Sequence, residues 1–472
     1  GIRLNVSVSG EVGWFQSGVY QLAYTAVDGA GKESLPVIRT VVVTDVNFRF
    51  LNYYEYKSQI FITDCDTAAE GELVIPEKIE GLPVVAIGSS AFAGCSNLTL
   101  ITIPEGVTVI NDRAFEGCSR LVSVSLPESL KELGAYAFNN CSKLQSVELP
   151  QALSTLGSYL FSNCVSLKEV SFPVDLRAVP EGMFQGCSGL VMLSLPEGVS
   201  TIHRYAFQNC SSLEEVPLPG GLTQIYDRAF QNCHSLQAIE LPESLSYWNE
   251  AVFEYCSSLI KVEIPGSLGY VPNYQFQGCS SLEEVVIGAG ITSINYRAFA
   301  NNGRLAKVDL PAGLTYLADQ AFENCAQLVS IRFPDTVNQL SQRLFQNCTS
   351  LSQIVMAGDA PGIQEGVFQN ISTDARVYVN AGASGYGPFF GGVTVQVDPL
   401  IRLHGQPFVI LRAGEDFVDP GASARDVVEG ELSVSVSGIV GLETLGDYQL
   451  TYQAEDSEGN RAIPVMRTVR VV

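Results

Sequence analysis

Apolar residues along this chain recur with two superimposed periods. Over short stretches such as Ile101-x-Ile103 they alternate, which puts them on one face of a short extended strand. Over longer distances the whole pattern returns every 23 residues, marked by Phe92, Phe115, Phe138, Phe161, Phe184, Phe207, Phe230, Phe253, Phe276, Phe299, Phe322, Phe345 and Phe368. Cysteine keeps the same interval three positions later, from Cys95 to Cys348, with Asn302 and Ile371 as the exceptions. A unit this short cannot bury its own apolar face, so each copy must stack on its neighbours and share one continuous core.

One copy reads Leu98-x-x-Ile101-x-Ile103-Pro104-x-x-Val107-x-x-Ile110-x-x-x-Ala114-Phe115-x-x-Cys118. The alternating part predicts a strand, and stacked copies predict a parallel sheet. Proline follows the strand in most copies, at 104, 127, 150 and onwards, and its missing N–H ends the ladder there. The rest of the unit, with wider apolar spacing and the Ala-Phe pair, predicts a turn and a short helical or 3₁₀ segment on the outer side.

The pattern LxxVxLPxxLxxIxxxAFxxCxx resembles the leucine-rich repeats of the BspA-like bacterial surface proteins, over roughly residues 73–371. Leu73 to Pro76, Gly81 to Val84 and Ile87-Gly88 look like that family's incomplete first repeat, and Val377-Tyr378-Val379 with Ala381, Gly382, Ala383 and Tyr386 like its closing hairpin. The resemblance implies a mixed α/β leucine-rich repeat solenoid, capped at both ends within residues 46–398. It also implies a secreted or surface-attached protein, often an adhesin.

The two ends of the chain repeat each other. Residues 4–43 align without gaps on residues 432–471 with 22 identities in 40 positions, among them Gly18 with Gly446, Tyr24 with Tyr452 and Arg39 with Arg467. Alternation in Tyr448-Gln-Leu450-Thr-Tyr452 and Val469-Arg-Val471 predicts antiparallel strands and an all-β sandwich. With Asp419-Pro420-Gly421-Ala422, these segments resemble the immunoglobulin-like modules of bacterial surface proteins, which places modules at residues 1–45 and 399–472. Residues 400–431 have no counterpart at the other end, so the expectation is that the natural polypeptide extends upstream of Gly1.

Composition narrows the function classes. The 472 residues carry a net charge of −23, which disfavours nucleic acid and anionic membranes, since both demand clustered Lys and Arg. No apolar run approaches the roughly 20 residues of a membrane span. Neighbouring column cysteines would lie about 5 Å apart, but equivalent side chains in a stack point the same way, which predicts buried thiols and no disulfides. No CxxC or Cys/His cluster suits zinc. Asn302 in the column fits a structural role in which either side chain bonds to backbone within a turn.

Catalytic chemistry has little to build on. His203, His234 and His404 occupy unrelated positions, no Ser/His/Asp or Cys/His set assembles from neighbouring repeats, and phosphate loops and HExxH are absent. The expectation is a non-enzymatic protein without a cofactor. Asp28, Asp456 and Asn460 leave calcium open beside a plain turn role.

Binding must then use outward positions. On the strand face these carry Glu240, Glu263 and Glu284, with Lys261, Lys307 and Arg332 interspersed. A second column, between the inward pairs Leu245/Trp248, Leu268/Val271 and Leu314/Leu317, carries Tyr247, Tyr270 and Tyr316. Its rings form a candidate contact strip for a host or bacterial surface protein, or for a glycan, with the strand-face carboxylates tuning selectivity. The alternative is an architectural spacer with no ligand of its own.

Overall fold

The computed structural model describes residues 5–9, 18–27, 37–43, 50–379, 383–397, 399–426, 430–455 and 461–472. They form two compact units, Gly1–Leu176 with Pro180–Leu190 and Arg177–Val179 with Val191–Val472.

In the first unit the strand of each repeat joins a parallel ladder: Glu70–Val74, Asn97–Thr102, Ser123–Ser125, Ser146–Glu148 and Glu169–Ser171. Register follows the 23-residue interval, with Val124 beside Ile101 and Val170 beside Val147. A second parallel ladder, of two-residue strands, runs through Val109–Ile110, Glu132–Leu133 and Thr155–Leu156. It starts from Leu82–Ile87 and the antiparallel hairpin Leu51–Tyr56 with Gln59–Cys65. The hairpin covers the first rung in the way a cap must. The sequence pattern anticipates the first ladder only.

The second unit repeats this construction. Ala178–Val179, Thr201–Ile202, Gln224–Ile225 and Tyr247–Trp248 form one two-residue ladder, and Tyr270–Val271, Ser293–Ile294 and Tyr316–Leu317 another. The longer strands include Lys261–Ile264, Glu284–Ile287 and Lys307–Asp309. Around residues 192–238 the longer ladder thins to the isolated bridges Met192 with Glu215 and Ala238 with Lys261. Pro217, two residues beyond Glu215, cannot donate to a ladder, which accounts for the interruption.

Among the described residues there is no α-helix, and the one 3₁₀ turn is Gly266–Leu268. The expected helical outer segments are turns, and the α component of the predicted fold class falls away. Hydrogen bonding shows why. Ala114, Glu116 and Cys118 donate within their own rung to the carbonyls of Asn111, Arg113 and Phe115, whereas Arg113, Phe115 and Gly117 donate to Ala135, Ala137 and Asn139 of the next. Alternate N–H groups leave the rung, so no helix can propagate. Two left-handed residues per repeat enforce the pattern, at φ 59° for Arg113 and 74° for Gly117, and the same two columns stay left-handed up to Gly366 and Asn370. The Gly/Asn column just before cysteine is the sequence trace of this requirement.

Every periodic phenylalanine is buried. The rings stack along each unit, 4.9 Å between Phe92 and Phe115 and 5.0 Å between Phe207 and Phe230, with planes nearly parallel. The cysteines are free and buried. Cys118, Cys141, Cys256 and Cys325 each donate from Sγ, at 3.2 Å, to the carbonyl of the phenylalanine 26 residues earlier. Asn302 Nδ2 donates to Phe276 O in the same way at 3.0 Å, so asparagine replaces the thiol's bond here, while its own Oδ1 stays buried without a partner. Burial pushes the Cys141, Cys164, Cys233 and Cys279 thiols well above their usual pKa, which disfavours the reactive thiolate there.

At the N-terminal end, Asn5–Ser9, Gly18–Val27 and Val37–Val43 form an antiparallel sheet. The C-terminal module is a sandwich of a three-stranded and a four-stranded sheet around Ile401, Ala424, Leu450, Tyr452 and Ala462. Inside it, fully buried Arg467 bonds the Asp419 carboxylate, the Tyr452 hydroxyl and the carbonyls of His404 and Gln406. That density of partners is what a buried guanidinium needs.

Candidate functional site

The tyrosine strip is built from the two-residue strands. Period-two alternation buries Trp248, Val271 and Leu317, so the preceding residues must face outward. Tyr247 and Tyr316 do so and are 38% and 49% exposed. Tyr270 is only partly exposed, and its hydroxyl is engaged. The cause lies two residues on. In other rungs the N–H of that position bonds the rung before, as Asn249 does to Ile225 O and Asn295 to Val271 O. Pro272 has no N–H to offer Trp248 O. Tyr270 Oη donates to that carbonyl instead, at 3.3 Å, and Trp248 Nε1 returns a bond to Tyr270 O at 2.9 Å. Burial pushes the Tyr270 phenol up, with Tyr247 and Glu250 adding to the shift. Tyr270 therefore repairs the ladder, while Tyr247 and Tyr316 have no such duty to their rungs.

An aromatic run adjoins Tyr247. His203 stacks on Tyr226 at 5.4 Å, and Tyr226 meets Tyr247 at 5.4 Å with ring planes inclined by 54°. Sequence reasoning set His203 aside as an unrelated outward slot. The available signal was its 23-residue offset from Tyr226, two positions out of step with the tyrosine column.

The acidic residues lie elsewhere. Glu263 and Glu284 sit on the longer strands and pair with Lys261 Nζ at 3.1 and 3.5 Å, and Glu240 is exposed on the rung before. No hydrogen bond or ion pair among the described residues joins these three carboxylates to the tyrosines. The carboxylate that belongs with the tyrosine strip is Glu250, which accepts from Asn273 Nδ2 at 2.7 Å. The six residues thus form two clusters, one aromatic and one charged.

A polar ladder lies beside the phenylalanine core. Gln208 donates to Gln231, Gln231 to Glu254, and Gln277 Nε2 to Glu254 Oε1 at 3.2 Å. Burial pushes the Glu254 carboxyl up, opposed by the bond from Gln231 and the charge of Arg228. Gln277 Oε1 and Gln275 Nε2 are buried without a partner.

His234 bonds the Tyr255 carbonyl, and His404 Nε2 meets the Ser423 hydroxyl at 3.1 Å in an exposed contact on the Ig-like module. Among the described residues no group of three or more His, Cys, Asp or Glu is arranged to hold a metal ion. The calcium candidates Asp28, Asp456 and Asn460 lie outside the described residues. No helix among the described residues is long and apolar enough to cross a membrane.

The stacked 23-residue rungs match the family model described as BspA type leucine rich repeat region (6 copies), over residues 85–214, 178–304 and 269–382. The chain belongs to the BspA-type leucine-rich repeat family. Residues 401–471 match the model for bacterial surface protein, Ig-like domain. The chain is thus a bacterial cell-surface leucine-rich repeat protein with an Ig-like module. Among solved structures it is similar to a leucine-rich repeat protein from Bacteroides ovatus, with 26% identity and a TM-score of 0.61 over 73% of this chain and 97% of that one. It also shares its fold with the pneumococcal vaccine antigen PcpA, at 20% identity and a TM-score of 0.51 over 70% of this chain and 92% of that one. No curated protein matches.

Proposed function

We propose that this protein is a non-enzymatic recognition protein whose repeats bind a macromolecule through the tyrosine strip. The observation that carries the reading is the contrast within one column: Tyr270 is tied to the Trp248 carbonyl, whereas Tyr247 and Tyr316 stand outward and exposed on strands paired into the ladders. Rigid amphipathic rings give contact area at low entropic cost, and a few such residues dominate many interfaces. His203 and Tyr226 extend the surface from Tyr247, and Glu250 supplies its charge.

The partner is a protein rather than a glycan. Sugars stack on open aromatic faces, and the His203 and Tyr226 rings each close one face on the other while the Tyr226 hydroxyl donates to Gln224 Oε1 at 3.2 Å, which leaves less open ring for a sugar. A screen of extracellular-matrix proteins, bacterial surface proteins and glycans against the whole chain tests this. Saturable binding to a protein that Tyr247→Ala and Tyr316→Ala weaken together supports it. Binding to glycans alone, or to nothing, favours the glycan or spacer reading.

A further inference from the structure

The charged cluster on the strand face has an occupant within the chain. Glu263 Oε1 accepts from Lys261 Nζ at 3.1 Å and also lies 3.7 Å from the guanidinium of Arg470, on the strand Val465–Val471 of the C-terminal module. Arg470 holds the Asp447 carboxylate in a two-point contact at 2.8 and 3.1 Å. Glu284, Lys261, Glu263, Arg470 and Asp447 therefore form one line of alternating charge that runs from the solenoid strands into the module. The bond from Arg470 holds the Asp447 carboxyl below its usual range, and the Lys261 charge works in the same direction.

The module face that carries Arg470 is the outer face of its four-stranded sheet. Ile410 lies beside Arg470 in register, Phe408 lies under the guanidinium at 5.3 Å, and Met466 shares the face. Val286, the neighbour of Glu263 in the strand register, is likewise exposed. Apolar residues thus surround an alternating charge line on both sides of the junction.

We propose that the strand face around Lys261 and Glu263 is a docking site for the chain's own C-terminal Ig-like module, which folds back and pairs with it through Arg470 and Glu263 in a releasable contact that leaves the flanking apolar residues exposed. Exposed ion pairs are individually weak and salt-sensitive, and small inter-domain contacts of this kind open readily. A partner of the strand face that needs Glu263 must compete with Arg470 for it. Docking of the module stands whether or not the tyrosines bind a ligand.

Small-angle scattering on the whole chain, without any ligand, tests this. The radius of gyration should rise between low salt and about 1 M salt, where charge is screened within about 3 Å. Glu263→Arg, at a side chain 56% exposed, should show the larger radius already at low salt and lose the salt response. Arg470→Glu should do the same while lowering the melting temperature through the lost Asp447 pair, and the double exchange Glu263→Arg with Arg470→Glu should restore compactness and salt response without restoring that temperature. A radius that neither salt nor Glu263→Arg changes overturns the proposal.

Discussion

Phe230 has no solvent exposure and stacks between Phe207 at 5.0 Å and Phe253 at 5.5 Å. Phe230→Ala should cost about 3–5 kcal/mol. In a quasi-one-dimensional array that loss is local, so hydrogen exchange should speed up in the neighbouring rungs first. Glu254 makes the opposite case. Its raised carboxyl pKa means that its fold contribution is full below the unfolded value and is lost as pH rises through the folded one. Glu254→Gln should raise stability at neutral pH by about 1 kcal/mol, because it removes the cost of ionising a buried carboxyl, which outweighs the one acceptor lost to Gln231 or Gln277. Denaturation of both forms across pH 4–8 checks this, and the gain should shrink toward the acid end. The thiols give a simple count: all twelve cysteines of the sequence should titrate as free after denaturation without reductant. At this scale the sequence was readable where one residue substitutes for another in a column, as Asn302 does for cysteine. It was silent on Tyr270, whose duty arises from Pro272 in the same repeat and a carbonyl in the repeat before.

Each rung is shaped by its left-handed residues. Asn324, at φ 62°, accepts from Asn347 Nδ2 at 2.7 Å and donates to Asn301 Oδ1 at 2.6 Å, forming a side-chain ladder along the stack. Asn324→Ala loses the ladder and adds left-handed strain, for a cost of about 1–2 kcal/mol, whereas Asn324→Gly loses only the ladder and should be milder. Thermal unfolding of the two variants orders them. Gly182, in the other left-handed column, shows the steric side: a Cβ there would sit 2.2 Å from the Tyr159 ring. The strand with its closing proline was legible because period-two alternation has few other meanings. The outer segment was not, since Phe-x-x-Cys spacing suits a helix and a chain of turns equally. What separates them is the Gly/Asn position before cysteine, a backbone requirement that apolar periodicity does not register.

For the molecule as a whole, the 23-residue interval and the matching ends made the repeat array and the Ig-like module readable without coordinates. The grouping of the candidate site was not readable. Tyr247 and Glu263 lie 16 positions apart in adjoining repeats, yet they occupy different ladders and join different clusters. Sequence proximity in a solenoid fixes the rung but not the face. Nor does any local pattern record that Arg470 reaches Glu263 from 207 positions away. The central claim is that the exposed tyrosines, not the acidic strand face, carry recognition. Its most direct test is the affinity of the whole chain for the partner found by screening, compared between Tyr247→Ala with Tyr316→Ala and Glu240→Ala with Glu263→Ala and Glu284→Ala. The tyrosine pair should lose at least about 2 kcal/mol, roughly 30-fold in Kd, with an unchanged melting temperature. Full affinity in the tyrosine variant, with the loss appearing in the glutamate variant, would contradict the account.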